Sequence, residues 1–345
     1  MNKNKLQFSQ LLSKKEYRIV AASFLIILSF LVYVFFTPNT YEGSSPKTFV
    51  IEYGETYHSV VNRLIKSGII KHKLPIKVLG FISGASGNIK AGRYKIPNNL
   101  SYVSLLDYFI SGKGDIACAV FIHDGMSLEA IAQRLDAIGI TPQAELQQYL
   151  TQDATARLYH IKANSMLGYL LPGQYVFFQH SKPEEVVKKM HDSFQSFWSD
   201  SLKGKLGTSG YSLHQVLTLA SIVDGETHNK EEEPRVAGVY LNRLRVGMKL
   251  QADPTVQFAR SAHWGRLSNS DLRIHSPYNT YLNKGLPPGP INNPGKNAIL
   301  AVLYPERHNY LFFVADGTGK HHFSKSFSEH KQYAKSYHQW LNQNQ

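Results

Sequence analysis

The chain has 345 residues and a mass of 38.9 kDa, room for about two domains of roughly 150 residues each. With 43% hydrophobic and 18% charged residues it is neither disordered nor collagen-like, and its single cysteine, Cys118, excludes an intramolecular disulfide and any cysteine-based zinc or iron–sulfur centre. Thirty-eight Lys and Arg against 25 Asp and Glu leave a net charge of +13, which calls for an acidic partner: nucleic acid, anionic lipid or an anionic polymer.

Residues 19–36 read IVAASFLIILSFLVYVFF, an uncharged run long enough to cross a bilayer at 1.5 Å rise per residue. Lys3, Lys5, Lys14, Lys15 and Arg18 precede it against one acid, Glu16, while Glu42 and Lys47 are the charges just beyond. The positive-inside bias places residues 1–18 in the cytoplasm, a transmembrane helix at 19–37, and the rest outside. The following FFTPNTYEGS lacks a small-residue cleavage pattern, so the run is read as an uncleaved anchor and not as a signal peptide. A single-pass anchor with its bulk in an extracytoplasmic space counts heavily against genomic nucleic acid as the partner. Lipid headgroups and cell-wall polymer are the anionic partners that remain.

Residues 38–47 (PNTYEGSSPK) have the composition of a short linker. An internal echo follows: Gly54, Thr56, Val60, Arg63, Leu64, Gly68 and Ile69 align with Gly125, Ser127, Ile131, Arg134, Leu135, Gly139 and Ile140 at one offset. Each copy is expected to be a short strand, a Gly turn and a helix capped by Thr56 or Ser127 and stopped at Gly68 or Gly139. Two related α/β modules are expected, at 48–115 and 116–205. The first resembles the LysM module, which binds N-acetylglucosamine-containing glycans; a structural unit without ligand is the alternative.

From residue 206 an α+β domain is expected. In SLHQVLTLASIVDGET, Ser212 is the expected N-cap, and Glu226 falls seven residues after Leu219 on the apolar stripe. A carboxyl in an apolar setting near the negative end of a helix is held protonated to higher pH, as a general acid requires. On spacing alone the alternative stands that Gly225 ends the helix and Glu226 faces solvent or pairs with Arg243. A second helix starts at Pro234 with Val236, Val239, Tyr240 and Leu244 on its apolar face. The stretch SPYNTYLNKGLPPGPINNPG offers aromatic faces and fixed polar groups of the kind an N-acetylated sugar needs. YLFFVADGTGKHHFS is expected to be a hairpin with His321 and His322 on opposite faces, read as surface histidines without a joint metal site.

ASIVDGET, VAGVYLNRL, GMKLQADPTVQFA, YNTYLNKGLPPGPINNPG and YLFFVADGTGKHHFS, in this order and spacing, resemble the endolytic murein transglycosylase family (MltG, YceG-like) over about residues 48–340. The resemblance implies a lytic transglycosylase that cuts the β-1,4 bond between N-acetylmuramic acid and N-acetylglucosamine within nascent strands. It leaves 1,6-anhydro ends and limits strand length, with no cofactor and no metal. The family's catalytic acid, the second acidic position of an E-x-E-[TA] motif, falls on Glu226. Gln251, Tyr278, Asn279 and Thr280 are the expected substrate-positioning groups. Asn242 and Arg243 either orient Glu226 or buttress the fold, Asp224 supports, and Asp253 and Thr255 shape a turn. Implied partners are glycan strands, inner-membrane lipid and the peptidoglycan synthases. Three positions depart from the family pattern: Asp224 for a Glu, Leu167 for a Glu and Gly173 for an Asp. Two alternatives follow: a non-catalytic membrane-anchored peptidoglycan-binding scaffold, and a hydrolase, which needs a second carboxylate roughly 5–9.5 Å from Glu226.

Overall fold

The computed structural model describes residues 13–260, 265 and 267–344 and divides at Cys118/Ala119 into two compact units. The class is mixed α and β.

The first unit begins with helix α1 (Lys14–Phe36), whose 23 residues span about 35 Å. It starts before the apolar run because Ser13 and Glu16 form a capping box: Ser13 N donates to Glu16 Oε2 at 2.7 Å, and Glu16 N donates back to Ser13 Oγ at 3.3 Å. This helix is long and apolar enough to cross a membrane. Then come β1 (Pro38–Asn39), β2 (Lys47–Ile51), α2 (Tyr57–Lys66), α3 (Lys73–Ile82), β3 (Gly92–Ile96), β4 (Leu100–Ser101), α4 (Tyr102–Ser111) and β5 (Asp115–Ile122), the last crossing the unit boundary.

β2 and β3 pair antiparallel with Phe49 opposite Tyr94, and β3 pairs with β5 through Arg93 and Asp115. Alternation places Phe49, Ile51, Tyr94 and Ile96 in the core with Val60, Val61 and Leu64 of α2 and Leu105 and Phe109 of α4. Residues 38–47 are tied to this unit and not free: Pro38 and Asn39 pair with Ser101 and Leu100, and the buried Tyr41 donates its hydroxyl to Ile96 O at 2.7 Å.

The second unit contains α5 (Leu128–Asp136), α6 (Gln143–Thr151), α7 (Asp153–Leu158), β6 (Gly173–Phe178), α8 (Pro183–Phe197), α9 (Asp200–Thr208), α10 (Leu213–Glu226), α11 (Glu233–Arg245), α12 (Asp253–Arg260), α13 (Lys296–Leu303), β7 (Phe312–Ala315), β8 (His321–Ser324) and α14 (Phe327–Asn344). Both copies of the echo start alike. Thr56 accepts from Ser59 N at 3.3 Å and Ser127 from Ala130 N at 3.1 Å, and Gly68 and Gly139 follow the helices in the left-handed region.

Helix α10 is the centre of this unit. Ser212 and Gln215 cap it reciprocally, and every residue from Val216 to Asp224 is buried. α11, α12 and α13 all pack against it. The loop after α12 is stitched to its middle, Ile291 N donating to Ser221 Oγ and Asn292 Nδ2 to Ser221 O, both at 3.0 Å. β7 and β8 form an antiparallel hairpin in which Asp316 Oδ1 accepts from Thr318 N at 2.7 Å in the turn.

Candidate active site

Glu226 is the last residue of α10, with Thr227 already extended. Gly225 does not end the helix; it admits a neighbour. A Cβ there would lie 2.9 Å from Pro254 Cβ, so glycine lets the start of α12 close onto the C-terminus of α10. That approach brings Asp253 beside Glu226.

Tyr240, on α11 and buried, donates its hydroxyl to Glu226 Oε1 at 2.5 Å. Burial pushes the Glu226 carboxyl up to about 7, and the charge of Asp253 pushes the same way. The Tyr240 hydroxyl, the Arg243 charge and the Asp253 backbone N–H oppose them by favouring the anion. Burial next to this carboxyl also holds the Tyr240 hydroxyl well above the ordinary phenol range.

A cavity of about 440 Å³ opens over Glu226. Arg243, Gln251, Asp253 and Tyr281 line one side; Phe312–Ala315 of β7, His321 of β8, and Phe327 and His330 of α14 line the other. A larger cavity in the same unit, about 680 Å³, is walled by aromatic and histidine side chains such as Tyr159, Tyr169 and His191 and has no carboxylate in its lining. Acid chemistry therefore points to the smaller one.

The sequence-derived candidates separate into those that face the cavity and those that build it. Gln251 lines it from a left-handed backbone (φ 49°), its N–H held by Thr280 O at 3.2 Å. Arg243 also lines it but does not form an ion pair with Glu226. It donates through Nε to Leu311 O at 2.7 Å and through Nη1 to Leu250 O, joining the hairpin to the α11–α12 connection. Asn242 buttresses the fold, its amide reaching His308 O at 2.9 Å and Tyr310 O at 3.1 Å.

Asn279 and Thr280 are buried and turned inward. Asn279 donates to Leu272 O and Ile274 O and accepts from Tyr281 N, while Thr280 Oγ1 accepts from Ala252 N and meets Thr255 Oγ1, both at 2.9 Å. Their polar atoms are used within the protein, and they fix the loop that carries Tyr281. Tyr278 is partly buried with its ring against Phe258, centroids 4.6 Å apart, and is not among the cavity's lining residues. Asp224 faces a different group. It accepts from Gly295 N at 3.5 Å and lies 3.6 Å from Lys230 Nζ, which also meets Asp124 and Glu233 at 3.0 Å. Leu167 and Gly173 do not line the cavity.

Four side chains at the site carry little sign of their place there in the sequence. Tyr240 looks like one more apolar position of α11. Asp253 and Tyr281 lie 28 residues apart, yet Tyr281 Oη donates to Asp253 Oδ1 at 2.6 Å. His321 is not a free surface histidine: its backbone N–H donates to Glu232 Oε1 at 3.1 Å, and Nδ1 meets Glu232 Oε2 at 2.8 Å. His322, on the opposite face, is exposed and stacks on Tyr333.

A model of the YceG-like family matches residues 49–336. The endolytic murein transglycosylase of Bacillus subtilis (strain 168) is 30% identical over 302 residues, which cover 82% of this chain and 82% of that protein. The protein of the same name from Streptococcus pneumoniae (strain ATCC BAA-255 / R6) is 26% identical over 317 residues, 80% of this chain but 56% of its own length, so this chain spans little more than half of that relative. The crystal structure of a YceG-like protein of Listeria monocytogenes superposes with a TM-score of 0.58 at 28% identity, covering 83% of this chain and 98% of that one. With the family match across most of its length and a relative this similar, the chain belongs to the YceG-like family.

Proposed function

We propose that this protein is a membrane-anchored endolytic peptidoglycan transglycosylase and that Glu226 is its acid and base. The observation that carries the reading is the carboxyl of Glu226, raised to about 7 and held by Tyr240, in a cavity beside an aromatic wall. Its relatives are named endolytic murein transglycosylases.

Protonated Glu226 gives its proton to the glycosidic oxygen, and the C1–O4 bond breaks with its electron pair going to the departing N-acetylglucosamine. The carboxylate then takes the proton of the muramyl 6-hydroxyl, and O6 bonds to C1. No water is consumed, and Glu226 ends protonated as it began. Tyr240 suits both halves, because its hydrogen bond strengthens when Glu226 is charged and leaves the proton in place when it is not. Phe312, Phe313 and Phe327 offer the sugar apolar faces, and Gln251 and Tyr281 supply polar groups at the opposite wall. Tyr278, Asn279 and Thr280 act by shaping the loop beneath them.

In this reading α1 crosses the inner membrane with its N-terminus in the cytoplasm, and the remainder is periplasmic. Residues 48–115, in which β2, α2, α3 and β3 run strand–helix–helix–strand ahead of β4 and α4, form a LysM-like glycan-binding module, 116–205 a second module and 206–345 the catalytic domain. Glycan strands are the substrate, and the synthases that polymerise them are the partners.

One observation favours a hydrolase instead: Asp253 shares the cavity with Glu226 and is a second carboxylate for activating water. Digesting peptidoglycan with the full chain and weighing the product ends decides the matter. Muramyl ends one water lighter than reducing ends are expected. Reducing ends would make the enzyme a hydrolase, and binding without cleavage would make it a scaffold.

A further inference from the structure

We propose that the outer face of helix α3 is a second membrane contact, seating the first unit on the bilayer beside the point where α1 leaves it. This rests on reading α1 as the membrane anchor.

Leu74, Phe81 and Ile82 are 72%, 87% and 73% exposed. At ~100° per residue they lie, with the partly exposed Val78, on one stripe of α3, opposite the buried Ile76 and Gly80. Single exposed apolar residues are ordinary, but a stripe of four at helical spacing is not. The helix is locked with this stripe outward. Tyr57 donates to Ile76 O at 2.5 Å on the inner side, and a Cβ on Gly80 would lie 2.3 Å from the Tyr57 hydroxyl oxygen, so α3 cannot rotate to bury the stripe.

The occupant follows from where the chain leaves the membrane. α1 ends at Phe36, and two residues later Pro38 is already paired to β4, so no slack separates anchor from unit. Val34 and Phe35, at the outer end of α1, are partly buried, and α1 packs on α3 and α4. The start of α3 lies at the same place: Lys71 Nζ reaches Thr40 Oγ1 at 3.5 Å, and His72 N donates to Tyr102 Oη at 3.2 Å. Lys73 and Lys77 flank the stripe along one side, and Lys71 stands just before the helix. An apolar helical face bordered by lysines is the pattern that settles into the headgroup region of an anionic bilayer.

The test places an environment-sensitive fluorophore at Leu74→Cys, Phe81→Cys, Leu28→Cys or Glu52→Cys, each in a Cys118→Ser full chain reconstituted singly in phosphatidylethanolamine/phosphatidylglycerol nanodiscs, with and without brominated acyl chains. Positions 74 and 81 should lose more than half their emission to bromine, as position 28 should, while position 52 should be unchanged. Quenching at 28 but not at 74 and 81 would overturn the α3 contact and leave the anchor standing. A blue shift at 81 without quenching would mean that protein covers the stripe, and would also overturn it. No quenching at 28 would overturn the anchor reading itself.

Discussion

Glu226→Gln is expected to slow glycan cleavage about 10⁴-fold, the upper end of what general acid–base groups contribute, because in the proposed mechanism one side chain serves both proton transfers. The amide keeps the shape and still accepts from Tyr240, so the fold should survive. Stability supplies a second, independent sign. The carboxyl is raised from 4.5 to about 7, with burial the largest cause. A raised carboxyl pKa means the folded state holds the proton more tightly, so this group's contribution is fully present below pH 4.5 and is lost as pH rises through about 7. Gln carries no such penalty. The variant should therefore match the wild type at pH 4 and exceed it at pH 8 by up to about 3 kcal/mol at 1.36 kcal/mol per pKa unit. Denaturant unfolding of both proteins across this range reads the difference. An inactive variant that is also less stable at pH 8 would make Glu226 a structural residue.

Lys230→Met is expected to destabilise the second unit by about 2–3 kcal/mol at pH 8 with little change in chemistry. Lys230 pairs with Asp124, Asp224 and Glu233. Glu233 is fully buried, one of its oxygens has no hydrogen-bond partner, and the side chain of Asp224 is 4% exposed. Breaking a buried ion pair costs about 3–5 kcal/mol, reduced here because Lys230 is itself half in solvent. Burial already raises the carboxyls of Asp224 and Glu233, against the pull of Lys230. Their contribution is therefore present at low pH and lost as pH rises through their folded values, and removing the lysine deepens that loss. Urea unfolding at pH 5 should show a much smaller deficit than at pH 8. Equal deficits at both pH values would mean the cluster is held by packing and not by charge.

Much of the fold was legible because it rests on local chemistry. Ser212 caps α10, Thr56 and Ser127 cap their helices, and the hairpin forms around Asp316. Glu226 was legible as a position on an apolar stripe, because helical period carries that information. What decides its chemistry was not. Tyr240 reaches it from another helix, and nothing in the spacing of apolar residues distinguishes a tyrosine that packs from one that donates. Asn279 and Thr280 resembled substrate groups because they are polar residues in a loop. A loop packed against a buried helix must satisfy its own backbone, and it used them for that. The segment 38–47 reads as a linker by composition, yet its pairing with Leu100 and Ser101 is non-local and invisible to composition. Asp224 likewise takes its role from Lys230 and from Asp124, a hundred residues earlier in the chain.

The measurement that tests the central claim most directly is the titration of the Glu226 carboxyl itself, followed by carbon NMR in glutamate-labelled protein and assigned by its loss in Glu226→Gln. A midpoint near 7 is expected, coinciding with the basic limb of the cleavage rate. A midpoint near 4.5 would leave Glu226 ionised at neutral pH, without a proton to give, and would contradict the single-acid mechanism.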